Sequence, residues 1–295
     1  MRTPTNLLKS THFKPTPKPN VKLDSQPSTP LSSTIFLHGY LGSRKTFTKL
    51  SRHLSNTLHC QTYSLDLRNH GDSFHGVDVG YQAMTSDLEE FIKYHHNEIG
   101  GKVNLVGYSM GAKVALNYAF KNQNMVDKVV CIDNAPVERY IPRDLFNDVL
   151  KAMRELEGLK GPLINAKTWR KAALAKAKPQ LNNNDALSLY VLDNFKYSEE
   201  LHQVRLKIPG YILTERTLDI LGEFPEIPAE DIPMGNKVLL IKASKSGFID
   251  AAAAERSKEL ITNVTLKEFE GSHHEVFIKN YKEIEALIEG FIGEK

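Results

Sequence analysis

From Ser32 onward, short apolar runs alternate with longer stretches in which apolar positions recur every three or four residues. The runs Thr34–Leu37, Gln61–Leu65, Val103–Gly107, Lys128–Ile132, Val238–Ala243 and Thr265–Phe269 predict strands. The stretches Thr46–Leu54, Met84–Tyr94, Met110–Phe120 and Tyr281–Ile292 predict helices. Strands that are apolar throughout, separated by amphipathic helices, imply a mostly parallel sheet covered on both faces, an α/β fold. In such sheets ligand sites gather beyond the carboxyl ends of the strands. The rhythm breaks over residues 136–236, where no parallel strand is evident. Leu145, Val149, Met153 and Leu156 fall at helical spacing there, as do the apolar residues of Trp169–Ala177. This interval predicts a helical lid inserted at the active edge of the sheet.

Composition narrows the picture. A chain of 295 residues with 41% hydrophobic content can build one substantial core, so residues 32–295 are expected to form a single domain. A formal net charge of +3 with 25% charged residues gives no reason to expect nucleic acid as a partner. Nothing approaches the roughly eighteen-residue apolar run of a membrane-spanning helix. Cys60 and Cys131 sit in or beside apolar runs, have no metal-binding spacing and read as small hydrophobes. Residues 1–31 differ from the rest: no acid precedes Asp24, whereas Arg2, Lys9, Lys14, Lys18 and Lys22 are basic, with Thr and Pro between them. That composition suits a mitochondrial transit peptide, although Pro15, Pro17 and Pro19 would break an amphipathic helix, so a disordered leader is the other expectation.

The chemistry is concentrated in a few segments. Gly107-Tyr108-Ser109-Met110-Gly111 is a Gly-x-Ser-x-Gly motif, which means little alone. Here a short buried strand precedes it and a helical pattern follows, the strand–turn–helix setting of a nucleophile elbow. Ser109 is therefore the predicted nucleophile, and the Met110 amide, at a helix N-terminus, a predicted oxyanion donor. A second donor is expected from the Tyr40 amide, in the His38-Gly39-Tyr40 loop after the first main strand. His38 itself is read as structural.

A serine hydroxyl needs a base. In this chain order the base comes last, and the final predicted strand runs into Gly271-Ser272-His273-His274. His273 is the predicted base, because the Gly271-Ser272-His273 turn would return its ring toward Ser109, leaving His274 to face solvent or pack locally. For the acid, the usual slot after the penultimate strand carries Ser246, with Asp250 further on. Asp133 ends the strand beside the elbow, where a carboxylate would fix the tautomer of the imidazole. Asp133 is the predicted acid and Asp250 the alternative. No metal ligand set or nucleotide loop appears, so no bound cofactor is expected.

The segments HGYLGS, DLRNHGDS, GYSMGAK, IDNAPVERY and GSHHEVF together resemble one branch of the α/β hydrolases, that of abhydrolase-domain-containing protein 11, the bacterial esterase YbfF and the fungal ethanol acetyltransferases. The resemblance runs from Ser32 to the C-terminus. It implies an acid in the IDNAPV segment at Asp133, a base at His273 and a serine in the old acid slot at Ser246. It departs at Tyr108, where the branch often has His, at Ala112, where a third glycine is common, and at His274-Glu275, in place of Trp-Val. Arg68, His70 and Asp72 of DLRNHGDS are read as a packed loop. The basic leader and the IDNAPV wording are most similar to the fungal alcohol acetyltransferases. What this implies is transfer of an acetyl group from acetyl-CoA, as substrate, to ethanol or another short alcohol. A carboxylesterase or thioesterase is the alternative. The implied location is mitochondrial.

Overall fold

The fold is that of a computed structural model, which describes residues 6–16, 32–141 and 143–294. In chain order its elements are β1 (Ser10–Phe13), β2 (Ser33–Leu37), α1 (Thr48–Thr57), β3 (Thr62–Leu65), α2 (Tyr81–Tyr94), α3 (His96–Ile99), β4 (Val103–Tyr108), α4 (Met110–Lys121) and β5 (Val126–Ile132). Then follow α5 (Asp144–Leu156), α6 (Trp169–Ala177), α7 (Asp185–Leu192), β6 (Phe195–Ser198), β7 (Gln203–Leu206), α8 (Glu215–Gly222), β8 (Met234–Ala243), α9 (Ala251–Leu260), β9 (Ile261–Phe269), α10 (Val276–Lys279) and α11 (Tyr281–Gly293).

Seven strands form the main sheet in the order β1-β3-β2-β4-β5-β8-β9, parallel throughout except for β1. Alternation along each strand divides the core into two layers. Ile35, Leu37, Leu105, Val129, Cys131, Val238 and Leu240 face α2, α4 and α9, while Phe36, Val106, Val130, Ile132, Leu239 and Ile241 face α1 and α11. On α11 the buried Ile284, Ile288 and Ile292 recur every four residues, the stripe a helix needs to lie on a sheet. Both cysteines are buried and unpaired, and burial pushes both thiols up.

Register positions the site. Leu37 pairs with Gly107, Tyr108 with Ile132, Ile132 with Ile241, and Ala243 with Phe269. The carboxyl ends of β2, β4, β5, β8 and β9 are therefore level, and the residues after them share one edge.

Two features differ from the sequence expectation. Ser10–Phe13 lies within the stretch read as a leader, yet it pairs antiparallel with Thr62–Leu65, and Leu8 beside it is buried. Residues 1–5 and 17–31, where the rest of that reading falls, lie outside the described residues. The interval between β5 and β8 holds the expected helices, α5 to α8, but also the hairpin β6–β7, which forms its own two-stranded sheet.

Candidate active site

Ser109 sits where β4 turns into α4, with φ 54° and ψ −114°. A non-glycine residue in that region stores strain, which the flanking packing has to hold. Two glycines make the turn possible. A Cβ on Gly107 would lie 2.3 Å from the Gly111 carbonyl oxygen, and one on Gly111 would lie 2.1 Å from that of Leu37. Any side chain at either position would push the elbow off the sheet. The Ser109 amide donates to the Ile132 carbonyl at 2.8 Å, tying the elbow to the neighbouring strand.

The structure brings His274, not His273, to Ser109. The Ser109 hydroxyl donates to His274 Nε2 at 2.9 Å, and His274 Nδ1 donates to Asp133 Oδ2 at 2.8 Å. A carboxylate only accepts, so the ring proton sits on Nδ1 and the Nε2 lone pair faces the hydroxyl. His273 is exposed on the opposite side of the turn, and its carbonyl accepts from the Val276 amide at 2.9 Å. The choice is made by the backbone. Gly271 turns the chain at φ 72°, the Ser272 carbonyl accepts from the Lys245 amide at 2.8 Å, and the Tyr108 hydroxyl donates to the His274 carbonyl at 2.8 Å. With residues 272 and 274 fixed, position 273 is left facing out. The His274 ring is further sandwiched by Phe248, 4.1 Å away at 16°, and Tyr108, 5.4 Å away at 28°.

Asp133 is fully buried, and all of its hydrogen bonds are accounted for. Oδ1 accepts from the Ala243 amide at 3.0 Å and from the Ser246 hydroxyl at 2.9 Å, while Oδ2 takes the imidazole. Ser246, in the slot where an acid was looked for, thus serves the acid on the next strand. Asp250 is occupied elsewhere. It caps α9 through the Ala253 amide at 2.8 Å and pairs with Arg139 at 2.5 Å, and these two interactions hold its carboxyl below the usual range.

The residues of the predicted oxyanion donors, Met110 and Tyr40, line one small space together with Ser109. As the first residue of α4, Met110 has no intrahelical acceptor for its amide. The Tyr40 amide has no acceptor among the described residues. Gly39 backs onto the elbow: a Cβ there would be 3.3 Å from Ser109 Cβ. The loop carrying Tyr40 is held by three side chains from distant parts of the chain. The Tyr190 hydroxyl on α7 donates to the Tyr40 carbonyl at 2.6 Å, Asn194 Nδ2 donates to the Leu41 carbonyl at 2.8 Å, and the Leu41 amide donates to His70 Nε2 at 3.1 Å.

The DLRNHGDS loop is structural, as its sequence suggested. Asp66 accepts from the Arg44 amide at 2.6 Å and the Asp72 amide at 2.9 Å, and Arg68 forks onto Asp87 at 2.5 and 2.7 Å. His38 and His70 are neutral braces. Each donates from Nδ1 to a backbone carbonyl and accepts a backbone amide at Nε2. Burial lowers His38 to about 4, and burial together with neighbouring His38 lowers His70 to about 3.

Ser109 and His274 open into a cavity of about 340 Å³. Its floor is apolar, with Val149, Leu181, Leu187 and Tyr190 from the lid, and its rim carries Asp148, Asn182, Glu275 and Lys279. Glu275 is paired with Lys279 at 2.6 Å. Among the described residues no group of three or more His, Cys, Asp or Glu is arranged to hold a metal ion, and no helix is long and apolar enough to cross a membrane.

A nucleophile elbow at the carboxyl edge of a parallel sheet, with an insertion after β5, defines the α/β-hydrolase class. Residues 35–281 match the model of the alpha/beta hydrolase fold family, and the chain belongs to that family. Its curated relatives are more particular. It is 30% identical over 94% of its length to a probable alcohol acetyltransferase of Cyberlindnera fabianii, covering 74% of that protein. It is 28% identical over 81% of its length to ethanol acetyltransferase 1 of Wickerhamomyces anomalus, and spans 63% of that protein's length. Among solved structures it superposes on a marine microorganism esterase with TM-score 0.78 and 24% identity, covering 97% of this chain and 100% of that one. The chain is thus an enzyme of the acyl-transferring or ester-hydrolysing type.

Proposed function

We propose that this enzyme moves an acetyl group from acetyl-CoA to ethanol or another short alcohol through an ester on Ser109, with hydrolysis of thioester and ester as side reactions. The observation that carries the reading is the unbroken chain from Ser109 Oγ to His274 to Asp133, at 2.9 and 2.8 Å, opening on an apolar cavity. His274 Nε2 takes the hydroxyl proton as Oγ attacks the thioester carbonyl. Charge developing on the carbonyl oxygen is met by the Met110 and Tyr40 amides. The C–S bond then breaks as His274 gives that proton to the departing sulfur, so CoA leaves as the thiol and Nε2 is free again. An alcohol enters, gives its proton to Nε2 and attacks the Ser109 ester, which restores the hydroxyl and releases the acetate ester. Water in the same position gives acetate. The curated relatives support transfer over hydrolysis, and the apolar floor, which favours an alcohol over water, is consistent with it.

The test is purified protein with acetyl-CoA and graded ethanol, following CoA thiol and ethyl acetate together. Ethyl acetate rising with ethanol, and lost in Ser109→Ala, is the expected result. CoA release without ethyl acetate at any ethanol concentration would leave a hydrolase.

A further inference from the structure

Ser109 borders two spaces of very different size. One is the cavity of about 340 Å³ that also has His274 in its wall. The other, about 10 Å³, lies on the Met110 side, enclosed by Asn134, Ile141, Leu218, Leu221 and Phe248, and His274 does not line it. Tyr40 and Phe146 border both spaces, packed edge to face with ring centres 5.6 Å apart. They form the partition. The Tyr40 hydroxyl is anchored to the Ile212 carbonyl at 2.6 Å, so its half of the partition is fixed, while Phe146 reaches in from lid helix α5.

Catalysis assigns the two spaces. In the tetrahedral intermediate the leaving or attacking oxygen has to lie within reach of His274 Nε2, because that atom gives and takes its proton. The acyl substituent takes the other direction, alongside the oxyanion donors. We infer that the large space receives the alcohol or thiol portion and the small space the acyl portion. The small space holds about one water-sized group, which is what the methyl of an acetyl group needs. The large space exceeds it by more than an order of magnitude and lies in the range of cavities that take whole organic ligands. Ethanol leaves most of it empty. The structure therefore points to apolar acceptors of medium chain length, or bearing an aromatic ring, as better partners than ethanol, combined with strict selection for an acetyl-sized acyl group.

A second space of about 10 Å³ lies past Met110 and Leu221 and does not touch Ser109. Leu221 therefore closes the back of the acyl space and Phe146 its side.

This inference rests on the acyl-enzyme reading above, and the test separates the two. Full-length protein is assayed for hydrolysis of ethyl acetate, ethyl butyrate, hexyl acetate and 2-phenylethyl acetate. A buried methylene is worth about fourfold in binding. Hexyl and 2-phenylethyl acetate are expected to exceed ethyl acetate in kcat/KM by at least about tenfold, and ethyl butyrate to fall below it by a similar factor. Phe146→Ala joins the spaces and is expected to raise the butyrate-to-acetate ratio about tenfold. Leu187→Trp fills the floor of the large space and is expected to lower the hexyl-to-ethyl ratio about tenfold, which keeps the test intact should Phe146→Ala fold poorly. Butyrate turned over as well as acetate, with hexyl acetate no better than ethyl acetate, would overturn the assignment while leaving the acyl-enzyme in place. Folded protein that turns over none of these esters and no acetyl-CoA would overturn both.

Discussion

Replacing Asp133 by Asn changes one atom of the site and reverses one hydrogen bond. The carboxylate now accepts three: the Ala243 amide and the Ser246 hydroxyl at Oδ1, and the His274 Nδ1 proton at Oδ2. An asparagine brings one acceptor and one donor group. The Ala243 amide can only donate, and it is fixed in the ladder between β8 and its neighbours, so the carboxamide oxygen is held on that side. The NH2 group then faces His274, whose Nδ1 has to become the acceptor, and the ring proton moves to Nε2. Two donors now meet at Ser109, and the hydroxyl has no base. A wrong tautomer in a triad of this type costs about 10⁴ in kcat, or about 5 kcal/mol at 1.36 kcal/mol per tenfold. Binding of an uncharged ester should change little, because Asp133 is buried behind His274 and does not line the cavity. The assay is steady-state hydrolysis of a short acetate ester, with kcat and KM resolved. Asp250→Asn serves as comparison and should lose less than about threefold, because its carboxylate caps α9. A loss below about tenfold in Asp133→Asn, or a larger loss in Asp250→Asn, would refute the reasoning.

Acid should unfold the protein earlier than its carboxylates alone require. His38 and His70 are neutral in the fold and sit at about 4 and about 3, whereas in the unfolded chain they take up protons near 6.5. The unfolded state therefore binds more protons below about pH 6.5, and stability falls from there down toward the folded values, by about 3 kcal/mol for His38 alone. Denaturation midpoints measured between pH 7 and 5 should decline steadily, and a flat profile would contradict the neutral-brace role. Tyr190→Phe leaves the Tyr40 carbonyl without its lid donor, a change worth about 1–3 kcal/mol and hence roughly five- to a hundredfold in kcat if it loosens the oxyanion loop. An unchanged kcat with a lowered melting temperature would make Tyr190 a purely structural contact.

The central strands were legible because burial on both faces writes them as continuous apolar runs, and Gly107 and Gly111 were legible because the elbow tolerates nothing larger. Asp133 could be read from its place at the end of such a run, beside the elbow strand. Other features left weaker traces. Strand β1 is Ser-Thr-His-Phe, a polar edge strand with one neighbour, so it carries neither an apolar run nor a clean alternation. The β6–β7 hairpin is half-exposed and just as short, and the helical spacing around it masks it. The base was placed one residue early because neighbouring histidines in a turn differ only in backbone direction. That direction is set by the Lys245 amide, the Tyr108 hydroxyl and the Phe248 ring, none of which is near in sequence. The substitution of Tyr108 for the histidine common in the branch is the one signal that bore on it, since this hydroxyl is what holds the His274 carbonyl.

The most direct measurement is the rate at which a fluorophosphonate labels Ser109 in the native protein, in His273→Ala and in His274→Ala, with the labelled residue located by peptide mass. The account predicts near-native labelling in His273→Ala and a loss of at least about a thousandfold in His274→Ala. Labelling that survives in His274→Ala but collapses in His273→Ala would contradict it.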